Sequence, residues 1–151
     1  MEFILVIDLF SWLCTNSKIL CFPDMWKNPA TLYSAYHDNK GVFERLVKNG
    51  MQNALSCIGY VPDEDFMQSW RYEVEINMLL RRVEMYITFP QGLNLSKHRI
   101  QIRPGEKILV VFSTKYNVDD INEVANKACW QVINYNEDPS SFCTRSSTAS
   151  S

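Results

Sequence analysis

Two hydroxyl groups and a cation follow one another where an apolar segment ends. The run from Lys107 to Phe112 is almost wholly apolar, and Ser113, Thr114 and Lys115 come directly after it. Hydroxyls donate and accept hydrogen bonds, and an ammonium group donates them. Such a strand end can face a ligand, or it can mark the point where a sheet meets water. The residues alone leave both interpretations open.

The cysteines favour reduced thiols over a disulfide framework or a zinc site. They are odd in number and form no CxxC pair, which is typical of a cytosolic protein. Only His37 and His98 could activate a nucleophilic thiol, so we predict no catalytic cysteine and no metal site. The five are Cys14, Cys21, Cys57, Cys129 and Cys143.

The sequence shows no glycine-rich cofactor-binding loop, and its charge does not indicate a surface for nucleic acid or a membrane. The five glycines are scattered, with no GxGxxG and no Walker loop. The formal net charge of -2 gives no electrostatic footprint for nucleic acid or an anionic membrane. The acidic runs at 63–65 and 119–120 fit solvated or helix-capping roles. The length of 151 residues predicts one domain.

The first half of the chain alternates between clear and unclear patterns. The apolar run at 3–9 predicts a strand buried on both faces, but residues 10–26 have no clear period. Asn28 followed by Pro29 predicts a helix start that runs to about Tyr36. A helical stripe then follows Gly41 and ends at Gly59. The stripe comprises Val42, Leu46, Val47, Met51, Ala54, Leu55 and Ile58.

The second half predicts strands. Alternating apolar residues at 70–76 and 83–89 indicate an antiparallel hairpin, and two further strands flank the Pro104-Gly105 turn. Four antiparallel strands with a helical layer give an α+β fold. Asn117 and Asp120 predict a capped helix, and a strand follows over 129–135. The Ser/Thr-rich tail at 139–151 is expected to be disordered.

Three blocks resemble one enzyme family. They are Ala35-Tyr36-His37-Asp38 to Gly41-Val42, with Asn49 a little later; Arg82-Val83-Glu84-Met85; and Gly105-Glu106 to Ser113-Thr114-Lys115-Tyr116. In this order and spacing they resemble the C-terminal half of the histidine-specific, S-adenosylmethionine-dependent methyltransferases. That family includes enzymes that trimethylate histidine in the ergothioneine pathway and fungal 4-dimethylallyltryptophan N-methyltransferases.

The resemblance implies a domain organisation. Residues 1–9 would be the last strand of a Rossmann-like methyltransferase sheet, and 28–113 a substrate-binding domain of helices packed on an antiparallel sheet. Residues 114–138 would return to the Rossmann-like sheet, of which this chain would hold only remnants. Residues 10–27 would be an insertion, either a retained intron or gene-model artefact or a genuine surface insertion. We therefore expect a truncated enzyme whose donor-binding half is missing.

The resemblance also implies four substrate-binding residues. Tyr36 would hold the amino-acid group of the substrate, Met85 would line its side-chain pocket, and Ser113 would hydrogen-bond its side chain. The histidine enzymes carry a glutamate two residues before that serine, where this chain has Val111. Without that carboxylate an imidazole loses its charged partner. An aromatic or indole amine, such as a prenylated tryptophan, becomes the better expected substrate.

The implied activity is methyl transfer from S-adenosyl-L-methionine to a small-molecule amine or amino acid. We expect this chain alone to be inactive and to be cytoplasmic, with no nucleic acid or membrane partner. The alternative is a non-catalytic binding or regulatory protein that associates with a full-length paralogue. Exposed sheet edges on a truncated chain would also favour self-association.

Overall fold

The computed structural model describes residues 18–137 and 144–150, which divide into two compact units. The central unit is Lys27–Ser113, and the terminal unit contains the described residues before and after it. The sequence predicts a substrate-binding domain at 28–113, close to the range of the central unit. The strand predicted at 3–9 lies outside the described residues.

Two of the three α-helices of the central unit lie where the sequence predicts them, and the third was not predicted. Helix α1, Pro29–Tyr36, starts where the Asn28 side chain accepts a hydrogen bond from Ala30 N at 2.9 Å. Helix α2, Val42–Cys57, fills the range predicted from the apolar stripe. A short helix α3, Glu64–Ser69, starts at Asp63, whose carboxylate accepts from Phe66 N at 2.8 Å. The capping role expected in the acidic run is thus confirmed for Asp63.

The main sheet of the central unit has three strands. Strands β2, Arg71–Asn77, and β3, Arg82–Phe89, form the predicted antiparallel hairpin, in which Val74 lies opposite Met85. Strand β6, Glu106–Thr114, lies on the other side of β3, at an edge of the sheet. Together with the helices this confirms the α+β class.

The prediction of four antiparallel strands in one sheet is wrong. Strand β5, Ile100–Ile102, pairs antiparallel with strand β4, Leu93–Leu95, in a separate two-stranded sheet. A 3-10 helix, Ser96–His98, connects them. Gly92 permits this ribbon because it has a φ of 70° and a Cβ there would lie 2.6 Å from Ile102 O.

The core of the central unit is an aromatic cluster between α3 and the sheet. Trp70 and Phe89 are almost fully buried, and their ring centres lie 5.3 Å apart. Phe66 of α3 stacks on Phe89 at 6.0 Å. Val83 and Ile87 complete the same face of β3 with no exposed surface. One face of the sheet is therefore covered by helices, and we call the opposite face the outer face.

The terminal unit contains a three-stranded antiparallel sheet and helix α4, Val118–Lys127. The strands are β1, Lys18–Cys21, β7, Trp130–Glu137, and β8, Thr144–Ser150. The predicted capping box is confirmed, because Asn117 and Asp120 each bond the backbone N–H of the other. Trp130 packs with Ala125 and Ala128 in a buried cluster.

Two strands of this sheet differ from the expectation. The sequence predicts disorder from 139 onward and leaves 10–26 unassigned, yet the structure contains β8 and β1 there. Strand β8 lies between β1 and β7, so its backbone groups pair on both sides. Composition did not reveal it, because ladder hydrogen bonds do not depend on apolar side chains. Residues 139–143 and 151 lie outside the described part.

The segment after β1 contacts the strand end that carries Lys115. The ammonium group of Lys115 is completely buried and pairs with Asp24. Tyr116 N donates to Asp24 O at 2.9 Å, and Trp26 N donates to Tyr116 O at 2.8 Å. A buried lysine requires a counter-ion. Part of the predicted insertion at 10–27 therefore contributes to the terminal unit in this structure.

Among the helices of the described residues, none has the length and apolar character needed to cross a membrane.

Candidate functional site

A cavity of about 740 Å³ lies in the central unit between helix α2 and the end of strand β6. One face of α2 forms one wall, and Met85 of β3 and residues 109–113 of β6 form the other. Its lining is almost entirely apolar. The lining residues are Tyr36, Phe43, Leu46, Val47, Gly50, Met51, Ala54, Met85, Leu109, Val110, Val111, Phe112 and Ser113.

The turn before α2 sets the position of the helical wall. The carboxylate of Asp38 accepts from Val42 N at 3.0 Å and from Phe43 N at 3.1 Å. These two N–H donors lower the pKa of Asp38. Gly41 takes the left-handed conformation, with a φ of 61°, that the turn requires. The aspartate and glycine of this sequence block thus have structural roles.

The polar end of the cavity is a pair of hydroxyl groups. Tyr36, the last residue of α1, donates a hydrogen bond from Oη to Ser113 Oγ at 3.0 Å. Its ring lies 4.7 Å from that of Phe43, centre to centre. The hydroxyl of Tyr72 donates to the carbonyl of Tyr36 at 2.8 Å and so fixes the end of α1. Burial, with the nearby charge of Asp38, raises the pKa of Tyr72 to about 12, so this donor stays protonated at neutral pH.

All four residues that the sequence indicates as substrate-binding line this one cavity. Tyr36 and Ser113 lie at its polar end, while Met85 and Val111 are apolar wall residues. Met85 is 3% exposed and Val111 is 43% exposed, so Val111 lies where the cavity opens. Among the residues that the structure describes, the lining contains no carboxylate. The arrangement can hold an apolar or aromatic group and hydrogen-bond it at one end.

Sequence reasoning missed the contribution of α2 to the site. It used the apolar stripe only to predict the helix and gave it no part in a site; Val47 and Leu55 are the buried residues of the helix. Leu46 is 61% exposed and borders the cavity. The signal available was Gly50, a helix-interior glycine on the same face, which leaves open space where a side chain would otherwise lie. An interior glycine weakens a helix and so needs a reason.

The cysteines and histidines form no nucleophilic pair among the residues that the structure describes. Cys57 and Cys129 are exposed free thiols, and burial raises the pKa of Cys21. His98 contacts Ile58 O at 2.7 Å, and His37 stacks on Tyr72. Within the same residues no cluster of metal-ligating side chains occurs. Cys14 and Cys143 lie outside the described part.

One protein-family model matches most of the chain. The model of a family described as histidine-specific methyltransferase, SAM-dependent, matches residues 6–148. A search of the curated proteins finds no match.

Proposed function

The chain belongs to the histidine-specific, S-adenosylmethionine-dependent methyltransferase family, and on that premise we propose that its central unit binds the acceptor of an N-methylation. The acceptor is the amine of an amino acid or of an aromatic, indole-bearing compound. The cavity between α2 and β6 is its binding site.

The apolar cavity with a single polar end carries this proposal. Its volume of about 740 Å³ lies in the range of small-molecule sites. Apolar walls favour binding of an aromatic side chain, because burial removes apolar surface from water. A hydroxyl donates and accepts, so the Tyr36–Ser113 pair can orient an acceptor through its polar groups. Orientation of the amine supplies much of the rate in such a transfer.

Val111 favours an indole over an imidazole. A buried imidazole N–H gains most from a charged acceptor, and the described residues that line this cavity include no charged acceptor. An unpaired imidazole would also lose its hydrogen bonds to water on binding. An indole has a larger apolar surface and a single N–H donor, which suits a site with one hydroxyl pair.

The same cavity does not fit S-adenosylmethionine itself. That molecule has a sulfonium charge, ribose hydroxyls and an amino-acid group, each of which needs polar partners when buried. Of the described residues in the lining, only Tyr36 and Ser113 have hydroxyl groups that could serve as polar partners. We therefore assign only the acceptor to this site. Its residues would bind the acceptor, orient its amine and exclude water from it.

Saturation-transfer difference NMR tests the acceptor site directly. With L-tryptophan or tryptamine as probe, methyl saturation of the chain should transfer to the indole protons. Leu46→Asp places a charge on the 61% exposed rim of the cavity and should abolish the transfer. Leu79→Asp is the matched control, because Leu79 is 92% exposed at the β2–β3 turn and lies outside the cavity. Equal loss of saturation transfer in both variants, or no transfer from the wild-type chain to the probe, would refute the acceptor site.

A methyl-transfer assay separates catalysis from binding alone. The chain is incubated with S-adenosylmethionine and L-tryptophan, and methylated amine is measured by mass spectrometry. Product formation that Leu46→Asp abolishes shows that the cavity serves a reaction in this chain. Indole binding without product supports the alternative function, a non-catalytic binding protein.

A further inference from the structure

Strand β6 changes the face to which its side chains point. Lys107 forms ion pairs with Glu73, at 3.3 Å, and with Glu75. These glutamates alternate with Tyr72, which contacts α1, so they and Lys107 lie on the outer face. Ser113 is an even number of residues further along β6, yet it contacts Tyr36 on the helix-covered face. In a regular strand the two would share a face, so the alternation shifts by one residue between them.

A clamp on the outer face holds the strand after this shift. The guanidinium of Arg82 lies over the ring of Phe112, 4.5 Å from its centre. Arg82 Nε donates to Glu84 Oε1 at 2.5 Å. Glu84 is 5% exposed and also accepts from Tyr86 Oη and Asn77 Nδ2. These hydrogen bonds hold the Glu84 carboxylate in place, and the carboxylate in turn orients the Arg82 guanidinium.

The clamp lies next to the residues that face the acceptor. Phe112 lies between Val111 and Ser113 in the strand. If the register of β6 against β3 slipped by one residue, each of these three side chains would point to the opposite face of the sheet. Because the alternation has already shifted, the start of β6 does not determine which face its end presents. We propose that Arg82 is a positioning residue: through Phe112 it sets the orientation in which Val111 and Ser113 face the cavity. The inference rests on the proposed acceptor site.

Coupling between Arg82 and Ser113 tests the inference. With L-tryptophan as probe and affinity measured by isothermal titration calorimetry, Ser113→Ala should weaken binding about fivefold in the wild-type background. In an Arg82→Ala background the same change should weaken it less than about twofold, because Ser113 no longer faces the cavity. Arg82→Lys retains the charge but loses the planar contact, and should give an intermediate value.

Lys107→Ala is the matched control. Lys107 also places a cation over an aromatic ring on the outer face, 4.4 Å from the centre of Tyr86, but it precedes the shift. In that background the effect of Ser113→Ala should stay at about fivefold. An unchanged effect in Arg82→Ala, or an equal loss in Lys107→Ala, would overturn the proposal.

An NMR measurement needs no ligand and so separates this inference from the acceptor site. A nuclear Overhauser effect between the Tyr36 ring and the Ser113 Hβ protons should persist in Lys107→Ala and vanish in Arg82→Ala. Where Arg82→Ala does not fold, Glu84→Gln replaces it, because it keeps the side-chain shape and removes the charge that orients Arg82. Persistence of the signal in the folded variant contradicts the clamp. If the signal is lost in Arg82→Ala and the wild-type chain does not bind tryptophan, the clamp is supported and the acceptor site is refuted.

Discussion

Tyr36 and Ser113, 77 positions apart in the chain, are joined by a 3.0 Å hydrogen bond that forms the polar end of an otherwise apolar cavity. The bond connects the last turn of α1 to the end of β6. Both residues belong to sequence blocks that resemble the family pattern. Their contact brings two distant blocks to one site.

Removing the Tyr36 hydroxyl should weaken acceptor binding. Tyr36→Phe keeps the ring contact with Phe43 but removes the hydroxyl that is proposed to bond the acceptor, and one such hydrogen bond contributes about 1 kcal/mol, or about fivefold in affinity. Calorimetric titration with L-tryptophan measures the change. Tyr33→Phe is the control, because Tyr33 lies on the same helix, is 43% exposed and does not line the cavity. Equal effects of the two substitutions would argue against a binding role for Tyr36.

A carboxylate at position 111 should shift the preference towards histidine. Val111 borders the cavity and is 43% exposed, so Val111→Glu can be accommodated. The new carboxylate supplies a charge-assisted partner for an imidazole N–H, and histidine affinity should rise about tenfold. Val111→Gln has the same size without the charge. A similar gain with glutamine would show that charge is not what selects the substrate.

Two glycines should respond oppositely to alanine. Added Cβ atoms at Gly50 and Gly105 would both meet open space, but Gly105 has a φ of 77° and Gly50 lies in the interior of α2. Gly50→Ala should raise the free energy of unfolding by about 0.5–1 kcal/mol, because alanine loses less entropy in a helix. Gly105→Ala should lower it by about 1–2 kcal/mol, because L-residues are strained there. Urea unfolding measures both, and equal signs would contradict the assigned conformations.

Acid should remove a stabilising contribution from Glu84. The hydrogen bond from Tyr86 Oη, together with those from Arg82 and Asn77, lowers the pKa of Glu84 below its ordinary value of 4.5. A lowered pKa in the folded state stabilises the protein above the unfolded-state pKa. That stabilisation is lost as the pH falls through the folded-state value. The difference in unfolding free energy between wild type and Glu84→Gln should therefore be largest near neutral pH and shrink below pH 4.5.

Glu44→Gln serves as the control for this pH dependence. Glu44 forms an i,i+4 ion pair with Lys48 on the surface of α2, where the two side chains are 43% and 23% exposed, and such pairs contribute little to stability. Its difference from wild type should stay small from neutral to acidic pH in the same urea titrations. A constant difference for Glu84→Gln across that range would contradict the buried hydrogen-bond network.

Local chemistry in the sequence predicts where helices and hairpins begin. Asn28 and the Asn117–Asp120 capping box are short-range hydrogen-bonding patterns, and both occur as expected. The β2–β3 hairpin follows from alternation of apolar residues. These features depend on residues within a few positions of one another, so one sequence is sufficient to find them.

The pairing of strands that are not marked by a local pattern could not be predicted from the sequence. Strand β5 pairs with β4, and the backbone of residues 102–104 approaches Gly92 closely. The Pro104-Gly105 turn in the sequence did not indicate this pairing. Strand β8 lies in a Ser/Thr-rich segment and is held by ladder hydrogen bonds on both sides. The stripe on α2 predicted a helix, but the spacing of its apolar residues does not show what covers that face. In this structure part of the stripe borders a cavity instead.

Calorimetric titration of the chain with L-tryptophan and with L-histidine tests the central claim most directly. The apolar lining and Val111 predict that tryptophan binds about tenfold more tightly than histidine. The preference should fall in Val111→Glu and persist in Leu79→Asp, which lies outside the cavity. Histidine binding as tightly as tryptophan, or no binding of either, would contradict the assignment of this cavity to an aromatic amine.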